Sequence, residues 1–356
     1  MDGLGVIVEG SEFPRAWAQQ NMLLRCRNRM GHSIEYANFD PLRGHAVGLM
    51  ELLWACRQCK ATDPRDYYFG LLGLAPEVAS EPLLAADYTK PLQQVALDYG
   101  RYFVSRGLGL HLLYLANDVE RPGENLPSWV PNLTHVSRVG DKIWYMSEGE
   151  QRGSISCGGE GGRSLSVNGC LLDAISVLGG AKPEGGFTNS WRGDWIEEID
   201  SLVAGVVSYP SGQDMKEALC RTIVANKFPD REKPDAYYIG LYGLCRYVGT
   251  RSFVARDLPQ ELVDALRDTA RFDIAVMMLK TSRFSVTRDG LFAMVPQRSR
   301  PGDAIFTVHG DEHRATFVVR QDAVRGGYQW IGHAYVHDLW TVRDYEELPW
   351  GVITVD

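Results

Sequence analysis

The stretch PGDAIFTVHGDEHRATFVVR, residues 301–320, alternates turn-forming residues with short runs of β-branched and aromatic side chains. Runs of this kind predict strands over 304–308 and 316–320, with turns at 301–303 and 309–311. The pattern extends on both sides, with further predicted strands over 284–286, 291–295, 328–331 and 333–336 and turns at 289–290 and 326–327. Short strands at regular spacing indicate a small C-terminal antiparallel β-barrel or rolled sheet, which we place in a domain covering residues 281–356.

The residues before this β unit are predicted to form a mainly helical domain, 1–150, and a mixed middle segment, 151–280, packed on it. Asp63 is the predicted N-cap of a helix that runs to Leu72, because Pro64 follows at the first helical position. In the middle segment, Asn168-Gly169 is the predicted turn of a hairpin between strands at 164–167 and 171–178. The remaining predicted helices cover 51–56, 91–104, 191–206, 214–226 and 272–280. The predicted fold class is α+β.

Composition excludes several classes of protein. The chain has 356 residues, of which 45% are hydrophobic and 23% charged, as in ordinary globular domains. Its net charge of −8 argues against a nucleic-acid partner, which requires clustered lysine and arginine. Its most apolar windows, 108–116 and 274–279, are shorter than the roughly 20 residues of a membrane span. Because no signal-peptide pattern is visible and the seven cysteines form no disulfide framework, we expect a cytoplasmic protein.

The common cofactor and nucleophile motifs are missing from the sequence. It contains no P-loop, no G-x-G-x-x-G after a strand, no H-E-x-x-H and no G-x-S-x-G, so we expect no cofactor. Cys56-Arg57-Gln58-Cys59 has the spacing of half a zinc site, but no second pair supplies the other ligands. His309 and His313 lie across a predicted turn, and residues four apart on a strand, such as His333 and His337, have side chains about 13 Å apart, so we expect neither pair to bind one metal ion. We expect no metal site.

The sequence GHAYVH near the C-terminus has a distinctive polar face. On a strand, His333, Tyr335 and His337 project to one side, while Ala334 and Val336 project to the other. A polar aromatic face of this kind is either exposed to solvent or lines a pocket. If it lines a pocket, the three polar side chains are candidate catalytic hydrogen-bond donors to a substrate oxygen.

Aromatic residues supply candidate pocket walls. Trp129, which lies between two prolines, is either a core residue or a pocket wall. Tyr67 and Tyr68 belong to PRDYYFGLLGL, which has an echo in PDAYYIGLYGL, where Tyr237 stands at the position of the first tyrosine. The two segments are either a coincidence of helix design or two aromatic helices that line one cavity. Arg65, in the first segment, either supports the donors or pairs locally with neighbouring aspartates.

Several segments, in order along the chain, resemble the region that follows the core of fungal heterokaryon-incompatibility (HET) proteins. TDPRD at 62–66 and GLLGL at 70–74 resemble the start of this region, while DYTKP at 87–91 and LPSWVPN at 126–132 are similar to its "DYSKP" and "LPSWVPDW" motifs. Its β portion is matched by VNG at 167–169 with DAI at 173–175, PGD at 301–303, VR at 319–320 and GHAYVH at 332–337. The resemblance covers nearly the whole chain and implies a HET-like protein.

The sequence departs from the HET pattern at important places. FPRAWAQQ, at 13–20, resembles the "WFxRxWxxQE" end of the HET core, with Gln20 where the family usually has glutamate. The "YxALSYxWG" and "DxxCIxQ" motifs of that core are absent, and HDLW at 337–340 replaces the usual "HGIM". The family is thought to use its core to trigger cell death, so the resemblance implies that this activity is lost. What remains is a degenerate gene product, a regulatory module or a scaffold recruited to another task.

Two functions are compatible with these sequence features. The first is a cofactor-free cyclase or pericyclase of Diels–Alder type that acts on a small hydrophobic polycyclic or terpenoid intermediate in fungal secondary metabolism. It would hold the substrate in a reactive conformation and hydrogen-bond an activated carbonyl. The candidate catalytic residues are His333, Tyr335, His337 and Arg65, and the candidate substrate-binding residues are Trp129, Tyr67, Tyr68 and Tyr237. The alternative is a non-catalytic HET-like regulatory or interaction protein in fungal allorecognition.

Overall fold

The computed structural model describes residues 48–55, 61–75, 78, 81–116, 126–135, 154–180, 190–223, 225–226, 282–324 and 326–356. The chain divides into two compact units, Met1–Tyr99 and Gly100–Asp356. Helices and a largely antiparallel sheet are both present, which confirms the predicted α+β class. The predicted helix over 272–280 and Tyr237 lie outside the described residues.

The first unit is helical where it is described. Its elements are helix α1 (Leu49–Ala55), helix α2 (Asp66–Phe69), 3-10 turns at Leu72–Leu74 and Pro82–Leu84, and the first half of helix α3 (Leu92–Ser105). Helices α1 and α3 confirm the predictions over 51–56 and 91–104. Helix α3 carries an apolar face that includes Val95, Tyr99 and Phe103, all buried, as the helical spacing predicts.

Helix α2 is a single turn, so the predicted helix from Asp63 to Leu72 is wrong in extent. The Asp63 carboxylate does not cap it, because its oxygens accept hydrogen bonds from the backbone N–H of Arg65, at 2.9 Å, and from the Arg65 guanidinium. Arg65 therefore occupies the N-cap position. The helix ends at Gly70, before the predicted C-cap at Gly73.

The second unit contains four helices among its described residues. They are α4 (Gly109–Leu115), α5 (Ser190–Val203), α6 (Met215–Ile223) and α7 (Leu339–Val342), with 3-10 turns at Leu133–His135 and Glu160–Gly162. Helices α5 and α6 confirm the predictions over 191–206 and 214–226. Helix α4 is not predicted from the sequence, because residues 109–114 are all buried and such a helix has no polar face to mark its period.

Eight strands of the described chain form one sheet. They are β1 (Ile155–Gly158), β2 (Ser164–Leu178), β3 (Ser282–Thr287), β4 (Phe292–Pro296), β5 (Ala304–Val308), β6 (Thr316–Gln321), β7 (Tyr328–Val336) and β8 (Gly351–Val355). Strands β3 to β6 confirm the predicted runs. Two predicted strands, over 328–331 and 333–336, are one continuous β7, and Gly332 lies inside it at a φ of 141° that favours glycine.

The hairpin predicted at Asn168-Gly169 is wrong, because β2 runs straight through these residues for 15 positions. Gly169 is needed for close approach and not for a turn. A Cβ at this position would lie 2.2 Å from the Phe306 ring and 2.2 Å from the Thr307 carbonyl oxygen. The glycine therefore lets β5 pair directly against β2.

The order of pairing brings the strands back to their starting point. From β2 the pairs run through β3, β4, β7, β6 and β5, and β5 pairs with β2 again. The N-terminal half of β2 is flanked by β1 and β8. Every pair is antiparallel except a single parallel pair of residues between β7 and β8. Strand β2, from the predicted middle segment, is thus the strand that joins the C-terminal strands into one sheet.

Both faces of this sheet are covered. Facing residues in the register, such as Ile305 and Val318, belong to an apolar core on one side. On the other side, helix α4 contacts β7 next to the aromatic pair Phe317 and Trp330. Helix α6 contacts β4, and helix α5 contacts β3. The end of β7 therefore emerges between the sheet and the segment that precedes α6.

None of the helices in the described ranges has the length and apolar character needed to cross a membrane.

Candidate functional site

The structure separates the two histidines of the predicted polar face. His333 lies inside β7 and is 7% exposed, with its ring 5.3 Å from that of Tyr114 and 5.7 Å from that of Phe317, measured between centroids. The Tyr114 hydroxyl donates to Asp311, at 3.3 Å. His333 therefore lies in an aromatic layer between β7 and α4, away from the other two candidate donors.

His337 is held by hydrogen bonds at both ring nitrogens. The residue is 2% exposed, and it directly follows β7. The Tyr335 hydroxyl lies 2.8 Å from Nδ1, and the Gln213 carbonyl oxygen, Oε1, lies 2.7 Å from Nε2. Tyr335 and Gln213 are both half-buried, whereas the imidazole between them is buried.

A carboxylate lies beside the same imidazole. Asp338 Oδ1 is 3.5 Å from His337 Nε2, and Asp338 Oδ2 accepts a hydrogen bond of 2.6 Å from the Ser211 hydroxyl. Asp338 has a φ of 55°, in the left-handed region that glycine adopts most easily and aspartate tolerates better than most residues. We call Tyr335, His337, Gln213, Asp338 and Ser211 the His337 network.

Tyr209 fixes the backbone that carries His337. Its hydroxyl donates to the His337 carbonyl oxygen, at 3.0 Å, and accepts from the Phe292 N–H, at 3.4 Å. The His337 N–H donates in turn to the Phe292 carbonyl, at 2.9 Å. The Tyr209 ring also packs on Phe292, with centroids 4.8 Å apart. The ring of His337 is therefore positioned from both the main chain and the side chain.

The electrostatics keep His337 neutral at pH 7. The pKa of His337 is lowered to about 4, chiefly by burial; the Asp338 charge acts in the opposite direction, and the positive charge of Arg221 adds a smaller lowering effect. Arg221 itself is paired with Glu217, at 2.6 Å, one turn earlier on α6. A neutral imidazole has one N–H and one lone pair, so it can join a donor on one side to an acceptor on the other.

The arrangement has the connectivity of a proton-handling chain. A hydroxyl contacts one ring nitrogen, and the other ring nitrogen contacts groups that orient the ring. Both nitrogens of His337 are used in this way, so the ring can act only through the groups that contact it.

Arg65, the fourth candidate catalytic residue, lies in the first unit and is held by local contacts. Its guanidinium pairs with Asp63, at 2.6 Å, and donates to the carbonyl oxygens of Tyr88 and Lys90. The same group lies 5.3 Å from the centroid of the Tyr88 ring. These hydrogen bonds from Arg65 lower the pKa of Asp63 to about 2. Within this unit Arg65 joins the α2 turn to the loop before α3.

The candidate wall residues occupy different environments. Trp129 is fully buried in the second unit, donates through Nε1 to the Arg163 carbonyl, at 2.7 Å, and packs closely on Gly100. Tyr68, in the first unit, is buried edge-to-face against Tyr99, with centroids 5.0 Å apart. Tyr67 is partly buried, and Tyr237 lies outside the described residues.

No cluster of three or more metal-binding side chains occurs within the part of the chain that the structure describes. Cys56 and Cys59 lie outside that part. His309 does not share a site with His313: its ring packs edge-on against Trp350, 4.7 Å away between centroids.

Sequence reasoning did not find Gln213, Ser211 or Tyr209, because their partners lie far along the chain. The Gln213–His337 contact spans 124 residues. Asp338 is likewise not marked by any local pattern, because aspartate is one of the residues that tolerate the left-handed conformation.

No protein-family model matches the chain, and no curated protein or solved structure gives a significant match.

Proposed function

We propose that the protein is a cofactor-independent cytoplasmic enzyme of the cyclase or pericyclase class, with Tyr335 as the side chain that contacts its substrate. The substrate would be a small hydrophobic polycyclic or terpenoid intermediate of fungal secondary metabolism that carries an activated carbonyl group. The protein would accelerate its cyclisation by holding a reactive conformation and by hydrogen bonding at the carbonyl. The proposal includes descent from a HET-like scaffold, whose ring of strands from β2 to β5 would be a small closed barrel.

The observation that supports this proposal is the placement of Tyr335 in the His337 network. Tyr335 is half-buried as a residue, and its hydroxyl lies 2.8 Å from a buried, neutral imidazole. A hydroxyl oriented from behind in this way is suited to position a polar atom of a ligand with little reorganisation. The residue opposite Tyr335 on β4 is Met294, and Tyr335 packs against the apolar core to which Met294 belongs, so the tyrosine joins polar to apolar neighbours, as residues that line ligand sites do.

The test is a search for turnover followed by one substitution. Purified protein is incubated with fungal extracts, and bound and converted compounds are identified by mass spectrometry. We expect a product of unchanged mass, because a cyclisation without cofactor is an isomerisation. Tyr335→Phe should lower kcat/KM about 100-fold, in the range typical of a lost polar contact in a transition state. Tyr328→Phe makes the same chemical change at the other end of β7 and should leave turnover unchanged.

Two results would contradict the proposal. The first is that no compound is retained or converted. The second is that Tyr335→Phe and Tyr328→Phe have equal turnover of a compound that the protein does convert. In the second case the site would have to lie elsewhere on the chain.

The alternative is a non-catalytic HET-like interaction protein in allorecognition. Such a protein would use exposed apolar residues, of which Val352 in β8, at 69% exposure, is one candidate. Co-purification of a protein partner that Val352→Lys abolishes, together with no small-molecule turnover, would support this function. Loss of turnover on Tyr335→Phe, with no effect of Val352→Lys, would support the enzyme.

A further inference from the structure

We propose that the outer edge of β8 binds an extended, lysine- or arginine-flanked segment of a protein partner, which adds to the sheet as a further strand. The main chain of Val352 and Thr354 would supply the hydrogen bonds, and acidic residues on both sides of β8 would select the basic flanks. This inference does not depend on the proposed reaction. It goes beyond the alternative function by stating where a partner binds and what chemistry it carries.

Strand β8 pairs with β2 through one of its two edges. The main chain of Asn168, in β2, faces away from β8: its N–H donates to the Ser154 carbonyl, at 2.7 Å, and its C=O accepts from the His309 N–H, at 2.9 Å. These partners adjoin β1 and β5, and β5 lies across β2 from β8, because Gly169 pairs with both. Two residues opposite each other in an antiparallel pair exchange both bonds or neither. Val352, opposite Asn168, therefore directs its N–H and C=O away from β2.

The outer edge of β8 is open at Val352 and at the N–H of Thr354, which faces the same way two residues further on. Val352 is 69% exposed, and Thr354 is exposed as well. Among the described residues, none hydrogen-bonds the outward N–H or C=O of Val352. The Thr354 carbonyl is covered, because a Cβ on Gly327 would lie 2.9 Å from its oxygen. The start of β7 therefore ends the open edge at Thr354, and an added strand is short.

The sequence of β8 lacks the features that protect edge strands from partners. Soluble proteins commonly blunt a sheet edge with lysine, proline or a bulge. The strand GVITV, 351–355, contains no charged residue and no proline, and its register with β2 has no bulge. Four of its five residues are β-branched, which favours pairing as a strand. An exposed edge of this kind is suited to bind an extended segment.

Acidic residues lie beside the start of β8. The ring of Tyr345 packs edge-on against that of Trp350, with centroids 4.9 Å apart, and so brings the segment DYEE, 344–347, next to the strand. All three carboxylates of this segment belong to exposed residues. Glu346 is paired with Arg314 at 3.6 Å, yet its side chain remains 80% exposed. The segment therefore presents negative charge to whatever approaches this end of the edge.

Charge also decides between a second copy of the chain and a basic partner. If two copies paired antiparallel about Val352, Asp356 of one would lie opposite Leu348 of the other, next to its Glu347. Like charges across paired strands are destabilising, and each chain carries a net charge of −8. A segment with lysine or arginine at both ends would instead meet carboxylates at both ends of β8. The charges therefore favour a basic segment.

The first experiment compares two peptides of opposite charge. Acetyl-KTVTVTK-amide and acetyl-ETVTVTE-amide are each titrated into ¹⁵N-labelled protein at low salt, and binding is measured from the amide NMR shifts. We expect the lysine peptide to bind about tenfold more tightly, since exposed ion pairs contribute modestly, and to shift the amide signals of Val352 and Thr354. Equal affinity for the two peptides, or no binding of the lysine peptide, would overturn the inference.

A backbone variant tests the main-chain pairing. Val352→Pro removes an N–H that points away from β2, so the fold should be retained. The affinity for the lysine peptide should fall about three- to tenfold, the range of one hydrogen bond. Val207→Pro changes an exposed valine between α5 and α6 and should bind as wild type does. Wild-type affinity in Val352→Pro would mean that no strand is added at β8.

A modified peptide tests the same pairing without altering the protein. The lysine peptide is N-methylated at two successive central residues. Because successive residues of a strand face opposite edges, one of the two methyl groups must face β8 and block a hydrogen bond. We expect weaker binding, and binding as tight as that of the unmethylated peptide would contradict strand addition.

Glu347→Lys tests the selection by charge. It should lower the affinity for the lysine peptide about threefold and raise that for the glutamate peptide, whereas Glu197→Lys, at an exposed position on α5, should change neither. Unchanged affinities in Glu347→Lys would show that the acidic segment does not select the partner. Sedimentation detects the other occupant: a dimer of wild-type protein that Val352→Pro dissociates would assign the edge to a second copy and overturn the inference. None of these measurements reads turnover.

Discussion

His333 and His337 lie four residues apart at the same end of one chain segment, and they are buried to almost the same extent, at 7% and 2% exposure. Their surroundings are nevertheless opposite in character. His333 lies among the rings of Tyr114 and Phe317, whereas His337 lies among a hydroxyl, an amide and a carboxylate. Burial alone therefore does not distinguish a histidine packed among rings from one held in a hydrogen-bond network, and the kind of neighbour does.

The reason for the difference is the point at which β7 ends. Inside the strand, the pleat determines where a side chain points, so His333 follows the alternation of β7 onto the face that α4 covers. The strand ends at Val336, and the residue after His337 adopts the left-handed conformation. The His337 side chain lies just beyond the strand, where Gln213 of the segment before α6 contacts it.

The largest expected effect comes from the aromatic layer around His333. Trp330 is fully buried, packs on Phe317 at 4.7 Å and donates through Nε1 to the Leu113 carbonyl, at 3.1 Å. Trp330→Ala should lower the free energy of unfolding by about 3–5 kcal/mol, because it leaves a large cavity and an unsatisfied carbonyl. Urea titration measures the change, and the exposed neighbour, as Gln329→Ala, should change it by less than about 0.5 kcal/mol. A loss below about 1 kcal/mol for Trp330→Ala would show that this layer is not a packing centre.

The second prediction is that the free energy of unfolding falls in acid because His337 becomes protonated. Its pKa is about 4 in the folded protein and 6.5 in an ordinary environment, so the unfolded chain takes up the proton first as the pH falls. The resulting contribution to the free energy of unfolding is fully present above pH 6.5. It is lost as the pH falls from 6.5 toward 4, by on the order of 3 kcal/mol.

Urea titrations of wild-type protein and His337→Gln at several pH values between 4 and 7.5 measure this effect. The difference between their slopes isolates the histidine from every other titrating group. We expect the wild-type free energy of unfolding to fall more steeply toward acid than that of the variant. If the free energy of unfolding has the same slope against pH in both proteins, His337 is not held buried and neutral, and the contrast with His333 is lost.

The sequence predicted those parts of the fold that are specified by neighbours in the chain. The strands over 304–308 and 316–320 were correct because turn residues mark their ends locally. The hairpin at Asn168-Gly169 was wrong because the glycine is required by Phe306, a residue of a distant strand. At the site, alternation placed Tyr335 next to a histidine correctly, but Gln213 contacts that histidine across 124 residues, and no local pattern indicates such a contact. Helix α4, buried on all sides, has no period to detect.

Asp303 is a third buried polar residue to compare with His333 and His337, and its partner is a charged side chain. Asp303 accepts two hydrogen bonds of 2.8 Å from the Arg320 guanidinium and one of 2.7 Å from the Arg300 N–H. Asp303→Asn should lower the free energy of unfolding by about 2 kcal/mol, since it leaves the buried end of Arg320 without its counter-ion. The control is Asp289→Asn, which breaks an exposed pair with Arg343 and should cost less than about 1 kcal/mol. Similar losses in the two variants would show that burial does not set the energy of these pairs.

The smallest expected change in stability comes from Asp338, where two effects oppose each other. Asp338→Gly relieves a left-handed backbone at φ 55°, a gain of about 1 kcal/mol, and loses the contacts of the carboxylate with Ser211 and His337. The free energy of unfolding of Asp338→Gly at pH 7 should therefore differ from wild type by less than about 1 kcal/mol. Asp338→Ala keeps the strain and loses the carboxylate, so it should be measurably less stable than wild type.

Although the fold is little affected, the His337 network should respond to the loss of this carboxylate. The Asp338 charge favours the protonated imidazole, so its removal should move the pKa of His337 further below its folded value of about 4, a shift that NMR titration of the ring detects. An unchanged or raised pKa of His337 would mean that the Asp338 charge does not favour the protonated imidazole. A loss of several kcal/mol in Asp338→Gly would mean that Asp338 mainly stabilises the turn after β7. The contrast between His333 and His337 would then rest on Tyr335 and Gln213 alone.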